Sequence, residues 1–240
     1  MAIQNITIIG QGNVASHYYK AMTERKFIVK MISSRLPFDK ADLQSDIVII
    51  AVKDEAIEKV VKQLPKLFCM VVHTSGYIST KCLKEVSNNY GSLYPLQTLK
   101  KGVAIDFSQV PLCIWGSNEK TTADLEELAG KLTRIHYNVD DKGRKTLHLA
   151  AVFANNFTNH LFGIAKNLLD KEKIPFEILL PLIDRTIEVI KQNNPYDIQT
   201  GPAIRGDLFV MEQHKLQLDE TKRKIYDIIS DSIMEDKSKQ

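Results

Sequence analysis

A glycine-rich turn between the first apolar run and the first helical pattern constrains this chain more than any other feature. Residues 10–15 read Gly-Gln-Gly-Asn-Val-Ala and directly follow the apolar run 6–9. In a strand–turn–helix unit, the first glycine allows a tight turn, the second lets backbone approach a pyrophosphate, and a small third residue lets the helix pack on the strand. Amides at the helix N-terminus then meet the phosphate charge. The pattern predicts a dinucleotide site, and a glycine turn without a ligand is the alternative. The residues of the predicted site are Gly10, Gln11, Gly12, Asn13, Val14 and Ala15.

The first half of the chain alternates short apolar runs with amphipathic stretches. The apolar runs predict strands at residues 6–9, 27–32, 46–52, 69–72 and 111–115. Helical spacing of apolar residues predicts helices at residues 14–25, 54–64 and 121–132. This alternation is typical of right-handed crossovers in a doubly wound parallel sheet. We therefore predict an α/β fold in which residues 1–140 form an NAD(P)-binding Rossmann domain.

From residue 144 onward the pattern is helical and predicts no strand. Helices are expected at residues 145–169, 176–192, 205–216 and 219–234, with Pro181 as a kink or restart. The predicted architecture is therefore an all-helical C-terminal domain over residues 141–240, after a hinge near residues 140–143. The apolar stripes of this domain exceed what a bundle of its size needs, so we expect a homodimer formed through it.

The composition excludes several classes of protein. The 44% hydrophobic and 25% charged residues are typical of a folded chain, and the net charge of +3 gives no electrostatic reason to expect nucleic acid. Cys69, Cys82 and Cys113 form no CxxC pair, which argues against a disulfide framework and fits a reducing cytoplasm. No segment approaches the ~20 apolar residues of a membrane helix. No HExxH motif occurs, and no metal is expected.

The end of the second predicted strand bears on the type of dinucleotide. Ser33, Ser34 and Arg35 stand where NAD-binding proteins commonly place an acidic residue on the ribose hydroxyls. Two hydroxyls and a planar guanidinium suit a 2′-phosphate, so NADP is predicted and NAD is less favoured. The alternative is an ordinary polar loop, with Asp39 or Asp42 reaching the ribose.

Polar residues also follow the later strands, where ligands of doubly wound sheets bind. After the third strand, the backbone of Val52 and Lys53 is predicted to contact the cofactor. Ser75 belongs to the segment His-Thr-Ser-Gly (73–76), and Gln97 and Thr98 belong to the segment Tyr-Pro-Leu-Gln-Thr (94–98), which is expected to be a loop. These three side chains are predicted to bind substrate. A hydroxyl that satisfies its own turn and a purely structural loop remain equally open.

The long helix predicted from residue 145 carries a polar stripe. Six residues fall near one face at 100° per residue: Lys145, His148, Val152, Asn155, Asn156 and Asn159. Asparagine is a mediocre helix former, so three of them beside a histidine indicate a polar cleft lining. Hydrogen bonding within a helical bundle is the alternative.

Five segments together resemble a bacterial family that combines a Rossmann-like domain with a C-terminal helical domain of unknown function. They are residues 10–15, 73–76 and 94–98, His148 with Asn156, and the segment Gly-Pro-Ala-Ile-Arg-Gly-Asp (201–207). Members of this family are described as NADP oxidoreductases, some of them deazaflavin-dependent. The layout is similar to that of 6-phosphogluconate and 3-hydroxyisobutyrate dehydrogenases, pyrroline-5-carboxylate reductase and ketopantoate reductase. The resemblance covers nearly the whole chain and implies the fold and the cofactor class.

The resemblance also suggests roles for residues of the helical stripe. A carbonyl reductase needs a proton donor, which His148 is predicted to be, and a group such as Asn156 to orient the carbonyl. Related hydroxyacid dehydrogenases carry a lysine four residues before the matching asparagine, where this chain has Val152. Lys145 is the other candidate donor. Arg205 is predicted to bind a substrate carboxylate, or alternatively to form a structural ion pair with Asp207.

These observations predict an NADP-dependent oxidoreductase that reduces a small carbonyl or imine compound, such as the 2-oxo acid ketopantoate. The substrate is expected between the two domains. The alternatives are a non-catalytic, redox-sensing dinucleotide-binding protein and a deazaflavin-dependent NADP oxidoreductase.

Overall fold

The computed structural model describes residues 3–35 and 37–238. The chain divides into two compact units, Met1–Asn155 and Asn156–Gln240. The first unit contains the sheet and also the helix that begins at Asp141. Arg144 of this helix hydrogen-bonds to Ser75 in a sheet loop and to Ser92 in a strand. The sequence alone predicts a domain boundary at residues 140–141, at the start of that helix.

A seven-stranded sheet forms the centre of the first unit. Its strands are β1 (Asn5–Ile9), β2 (Ile28–Ile32), β3 (Ile47–Ile50), β4 (Met70–His73), β5 (Tyr90–Pro95), β6 (Leu112–Gly116) and β7 (His136–Asn138). Their order is β2-β1-β3-β4-β5-β6-β7. Neighbouring strands are parallel except for β5 and β6, which pair antiparallel with Tyr94 opposite Cys113. The predicted Rossmann-type α/β fold is confirmed, with a mostly parallel sheet in place of a wholly parallel one.

Two strands escape prediction from the sequence. Strand β5 contains Gly91 and Ser92 within its apolar residues, so it lacks the continuous apolar run of a buried strand. Consequently Tyr94 and Pro95 lie at the end of a strand, and the prediction of a loop over residues 94–98 is wrong for these two. Strand β7 is three residues long and exposed throughout, so it lacks the apolar run or the apolar–polar alternation that would predict a strand.

Helices cover both faces of the sheet because side chains alternate along each strand. Ile6 and Ile8 face the core that contains helices α1 (Asn13–Glu24) and α3 (Glu119–Leu132). Ile9 and Ile50 face the opposite core with helix α2 (Asp54–Val61). The strand order places the end of β1 beside the end of β3, while β2 lies on the other side of β1. The chain thus continues from β1 to one side of the sheet with β2 and to the other side with β3. The point where the strand order changes direction is the switch point at which doubly wound sheets bind ligands.

The predicted long helix at residues 145–169 consists of three consecutive segments. Helix α4 covers Asp141–Ala151, a π-helical segment covers Val152–Phe157, and helix α5 covers Thr158–Lys171. Single π-helical turns within α-helices occur frequently at functional sites. No signal in the hydrophobic spacing distinguishes the π-helical segment from its α-helical neighbours.

The described residues of the second unit form helices and connecting loops without a strand, as predicted. After α5 it contains a 3₁₀ turn (Phe176–Leu179) and helices α6 (Leu180–Ile190), α7 (Pro202–Arg205), α8 (Leu208–Leu216) and α9 (Glu220–Ser238). Pro181 lies in the first turn of α6, so it restarts the helix. The helix predicted at residues 205–216 is present as α8 but begins three residues later, because Gly206 has φ +70° and ends α7 before α8 begins.

The second unit leaves much of its apolar surface exposed. Its buried residues, among those that the structure describes, are Ala203, Met211 and Ser230. Leu208 and Phe209 of α8 are 64% and 75% exposed. None of the helices in the described part of the chain is long and apolar enough to cross a membrane.

Candidate functional site

The glycine turn lies at the switch point of the sheet, between the ends of β1 and β3. Gly10 has φ +132°, and a Cβ atom there would lie 2.2 Å from the carbonyl oxygen of Ala51. Its N–H donates to the carbonyl of Ile32 at 2.9 Å. No other residue type fits both the positive φ and this contact. Gly10 therefore joins the ends of three neighbouring strands.

The second glycine leaves the turn open. A Cβ atom on Gly12 would meet no atom within 4 Å, and no side chain caps the helix that begins at Asn13. Gln11 and Gly12 are exposed, whereas Ala15 is fully buried against the sheet. The side chain of Asn13 accepts a hydrogen bond from the backbone of Lys101 at 3.1 Å, which ties the turn to the loop after β5. The turn thus has the open backbone and the packed small residue that a pyrophosphate site requires.

The loop after β2 presents one exposed guanidinium beside two hydroxyls. The Ser33 hydroxyl accepts the N–H of Arg35 at 3.1 Å, and the side chain of Arg35 is exposed. The carboxylates considered as alternatives have other partners. Asp39 caps the 3₁₀ turn Lys40–Leu43, and Asp42 forms an ion pair with Lys30. Of the three charged side chains considered for this loop, Arg35 is therefore the one whose side chain has no partner among the described residues.

The loop after β3 leads into helix α2 without a side-chain cap. Val52 is half-buried, and Lys53 is exposed at the N-cap position of α2 without a side-chain cap. The amides of the first turn of α2 therefore have no side-chain acceptor at their cap, like those of α1.

The loop after β4 is held by its own hydrogen bonds. The hydroxyl of Ser75 accepts the N–H groups of Tyr77 at 3.0 Å and Ile78 at 2.9 Å, and the residue is buried. Of the two readings of Ser75, this geometry matches a hydroxyl that satisfies its turn. Its predicted role in substrate binding stays a prediction.

His148 and Tyr94 form a contact pair beside this loop. The Tyr94 hydroxyl lies 3.0 Å from Nδ1 of His148, and the two rings meet edge-on with centroids 5.9 Å apart. Gly76 makes the contact possible, because a Cβ atom there would lie 2.7 Å from Nδ1 of His148 and 2.9 Å from Cζ of Tyr94. Burial raises the pKa of Tyr94 to about 12, so its hydroxyl keeps its proton at neutral pH. The sequence predicts His148 as a site residue but does not single out Tyr94.

Arg144 is the polar residue that reasoning from the sequence missed. Its side chain is 0% exposed, although it lies in the first turn of α4. The guanidinium donates to the carbonyls of Ser75 at 3.0 Å and Ile78 at 2.6 Å, and to the hydroxyl of Ser92 at 2.9 Å. It also pairs with Asp141 at 2.8 Å. Arg144 therefore fixes α4, the loop after β4 and strand β5 to one another.

Asp141 completes this buried cluster. Its carboxylate accepts from the hydroxyls of Ser79 at 2.5 Å and Thr80 at 3.1 Å. Partial burial opposes ionisation, but the hydrogen bonds from Ser79 and Arg144 prevail and lower the pKa of Asp141 below its ordinary value. The cluster is thus an ion pair whose carboxylate oxygens are satisfied.

His73 lies close to the same cluster at the end of β4. It is 0% exposed, its Nδ1 accepts the N–H of Ser75 at 3.3 Å, and its Nε2 is buried without a partner among the described residues. Burial and the nearby charge of Arg144 lower the pKa of His73 to about 4. His73 is therefore neutral at physiological pH.

The remaining predicted residues of the first unit lie around this edge of the sheet. Thr98 accepts a hydrogen bond from Asn155 at 2.9 Å and donates its backbone N–H to Gln97 at 2.8 Å. Both loop residues are exposed. The ammonium of Lys145 stands over the ring of Tyr77, 5.0 Å from its centroid, and so has a partner of its own.

Two predicted residues belong to the second unit. Asn156 lies in the π-helical segment and is exposed. Arg205 is exposed at the end of α7 and forms no salt bridge with any described residue. The ion pair expected between Arg205 and Asp207 is therefore absent, because Asp207 instead caps α8 through the N–H of Val210 at 3.3 Å. No group of three or more His, Cys, Asp or Glu side chains in the described part is placed to hold a metal ion.

Comparison with known proteins identifies the family. The family model described as a domain of unknown function, DUF2520, matches residues 110–233, slightly more than half of the chain. The chain belongs to the DUF2520 family. The matched segment runs from just before β6 into α9 and includes Arg144, His148 and Asn156, whereas the glycine turn precedes it. No curated protein matches this DUF2520 chain.

Solved structures extend the comparison to the whole chain. A Bacteroides fragilis protein provisionally named as an NADP oxidoreductase is 33% identical, with a TM-score of 0.84 over 97% of this DUF2520 chain and 98% of its own. A Thermotoga maritima protein is 19% identical, with a TM-score of 0.70 over 98% of both chains. An Aspergillus terreus imine reductase, solved with NADPH4 and dibenz[c,e]azepine, is 14% identical, with a TM-score of 0.61 over 90% of this chain and 87% of its own. The last two similarities concern the fold alone.

Proposed function

We propose that this DUF2520 protein is an NADP-dependent oxidoreductase that reduces a small carbonyl or imine compound. One observation carries the proposal: the open glycine turn and the Tyr94–His148 pair occupy the same edge of the sheet. Strands β1, β3, β4 and β5 are mutually parallel, so their carboxyl ends lie together. The glycine turn follows β1, Tyr94 lies near the end of β5, and His148 contacts the loop after β4. A 2-oxo acid such as ketopantoate is the substrate that we propose first.

The residues at this edge fit NADP. The open turn at Gly12 and the amides of α1 suit the pyrophosphate, and the backbone of Val52 and Lys53 lines the neighbouring loop. Arg35 is exposed and free to meet the 2′-phosphate, because Asp39 and Asp42 are engaged elsewhere. The 33% identical relative carries NADP in its name, which supports the same cofactor here. The solved imine reductase shows that proteins of this fold include a reductase of C=N compounds.

NADPH, when bound, would supply a hydride to the carbon of the C=O or C=N bond. The chain then has to deliver a proton to the oxygen or nitrogen of that bond. We assign this proton to the imidazole of His148, which is half-exposed beside the loop after β4. Lys145 is the weaker candidate, since its ammonium already stands over the ring of Tyr77.

Two substitutions of His148 separate the roles of its two ring nitrogens. In His148→Gln the side-chain amide nitrogen approximates the position of Nε2, whereas in His148→Asn it approximates Nδ1, which contacts Tyr94. If Nε2 meets the substrate, both variants lose turnover, and the glutamine variant retains more substrate affinity than the asparagine variant. Equal turnover in the wild type and both variants would remove His148 from the reaction.

The experiment that tests the function combines binding with turnover on one sample. NADPH and NADH are titrated by fluorescence, and 2-oxo acids, cyclic imines and a deazaflavin are then screened for oxidation of bound NADPH. We expect tighter binding of NADPH and turnover of a carbonyl or imine compound. Turnover of the deazaflavin alone would favour the electron-transfer alternative. NADPH binding without any turnover would favour a non-catalytic sensor, for which Val152 in place of a lysine is the motivating feature.

The exposed apolar surface of the second unit supports a homodimer. Side chains such as Leu208, Phe209 and Leu216, between 64% and 75% exposed, would be covered by a second copy. We expect twice the mass of one chain by light scattering at micromolar concentration, and a single-chain mass would contradict the dimer. The three cysteines are free, which fits our proposal of a reducing, cytoplasmic location.

A further inference from the structure

We infer that Tyr94 is a positioning residue that holds His148 in the tautomer with its proton on Nε2, so that Nε2–H is the group presented to substrate. The inference rests on the proposed function, because it assigns the atom of His148 that delivers the proton described above. Nε2–H gives its proton to the substrate while Nδ1 takes the phenol proton of Tyr94, so the imidazole stays neutral and solvent returns a proton to the phenolate. It adds a residue that lies outside the matched DUF2520 segment.

The geometry brings the phenol to one nitrogen of the imidazole. Tyr94 lies near the end of β5 and His148 near the end of α4, 54 residues apart in the chain, and their contact joins the hydroxyl to Nδ1 at 3.0 Å. The edge-on arrangement of the rings directs the hydroxyl toward the rim of the imidazole. None of the described residues hydrogen-bonds to Nε2 of His148, so this nitrogen remains available for a ligand.

Gly76 restricts the imidazole from the Nδ1 side. The hypothetical Cβ of Gly76 lies 2.7 Å from Nδ1 and 2.9 Å from Cγ of His148, so the ring lies directly on the backbone of the loop after β4. That loop is itself anchored, because Arg144 holds the carbonyls of Ser75 and Ile78. The Nδ1 edge is therefore enclosed by the loop and Tyr94, and the Nε2 edge is the one left for substrate.

The hydrogen bond has a preferred direction. The phenol keeps its proton because burial raises the pKa of Tyr94 to about 12. His148 is the hydrogen-bond partner of this hydroxyl among the described residues. If the phenol donates to Nδ1, its proton is satisfied and the neutral imidazole carries its own proton on Nε2. The reverse direction leaves the phenol proton to solvent and leaves an unprotonated Nε2, which cannot donate to a carbonyl oxygen.

Nitrogen NMR of the histidine rings tests this inference without cofactor or substrate. The chain has six histidines, and His148→Gln identifies the signals of His148 by their loss. At a pH where the ring is neutral, we expect His148 of the wild type to show the Nε2–H tautomer alone. Tyr94→Phe removes only the hydroxyl, and we expect its His148 to populate both tautomers. Thermal unfolding of the variant establishes that it is folded.

Tyr90→Phe is the matched control, because Tyr90 lies on the same strand and its hydroxyl has no hydrogen-bond partner among the described residues. This control should leave the tautomer of His148 unchanged. A wild-type His148 with its proton on Nδ1, or a Tyr94→Phe variant with an unchanged tautomer ratio, would overturn the inference. The nitrogen chemical shifts are measured on the protein without cofactor or substrate. Their result therefore tests the tautomer of His148 independently of the proposed reductase activity. If that activity is found, Tyr94→Phe should lower kcat more than it changes KM for NADPH.

Discussion

Gly76 and His148 are in direct contact: a Cβ atom on Gly76 would lie 2.7 Å from Nδ1 of the imidazole. The same atom would lie 2.9 Å from the ring of Tyr94. One missing methyl group therefore allows a residue of the loop after β4, a residue of β5 and a residue of α4 to meet. The candidate site needs a glycine at position 76 because there is no room for a side chain. The backbone conformation is not the reason, since Gly76 does not have a positive φ.

Gly76→Ala should displace the His148 and Tyr94 rings. We expect a loss of about 1–3 kcal/mol in the free energy of unfolding, typical of overpacking, and a loss of turnover larger than any loss of NADPH affinity. Thermal unfolding and steady-state kinetics measure the two effects. Gly163→Ala is the control, because a Cβ atom there meets nothing within 4 Å within helix α5. Wild-type turnover in Gly76→Ala would show that the pair does not depend on this close approach.

Arg144→Met should destabilise the first unit strongly. It removes four hydrogen bonds and leaves the carboxylate of Asp141 without its ion-pair partner. Breaking a buried pair by removing one member typically costs about 3–5 kcal/mol, which urea unfolding would measure. Arg185→Met is the control, because Arg185 is mostly exposed and its ion pair with Glu188 should contribute at most about 1 kcal/mol. Equal unfolding midpoints for the two variants would contradict the structural role assigned to Arg144.

His73 should make the stability of the protein depend on pH. Its pKa is lowered from 6.5 to about 4 in the folded state, so between these values the unfolded chain binds a proton that the folded chain does not. Stability is therefore fully present above pH 6.5 and is lost as the pH falls toward about 4, by roughly 3 kcal/mol. Urea unfolding at several pH values measures the slope.

His73→Asn tests the assignment of that slope, because the asparagine oxygen approximates Nδ1 and keeps the acceptor for the N–H of Ser75. We expect the variant to lose less stability than the wild type over the same pH range. Identical slopes would show that another group carries the pH dependence.

Arg35→Ala should weaken the binding of NADPH more than that of NADH. A charge-assisted contact to a phosphate is worth about 1.5–3 kcal/mol, which corresponds to roughly a tenfold to hundredfold loss of NADPH affinity. Arg134→Ala, an exposed arginine beyond α3, serves as the control. Fluorescence titration of the wild type and both variants with NADPH and NADH compares the six Kd values. An equal loss of affinity for NADPH and NADH would mean that Arg35 does not bind the 2′-phosphate.

Local sequence was sufficient to predict the glycine turn, the alternation of strands and helices, and the helical second half. These features follow from φ preferences and from the periodicity of apolar residues, both of which act within a few neighbouring positions. His148 is predicted as a site residue for the same reason, from its spacing on a helix, and its role stays a prediction. The loop prediction for Tyr94 failed because β5 owes its place to pairing with β4 and β6, which its own composition does not encode.

Only the tertiary structure decided which polar side chains meet. Arg144 reads as a surface arginine of an amphipathic helix, yet its partners Ser75, Ile78 and Ser92 lie 52 to 69 residues earlier and bury it completely. Tyr94 and His148 likewise approach across 54 residues, through a gap that Gly76 leaves. Such contacts depend on strand order and on the volume between elements, and these are properties of the packed chain rather than of any local segment.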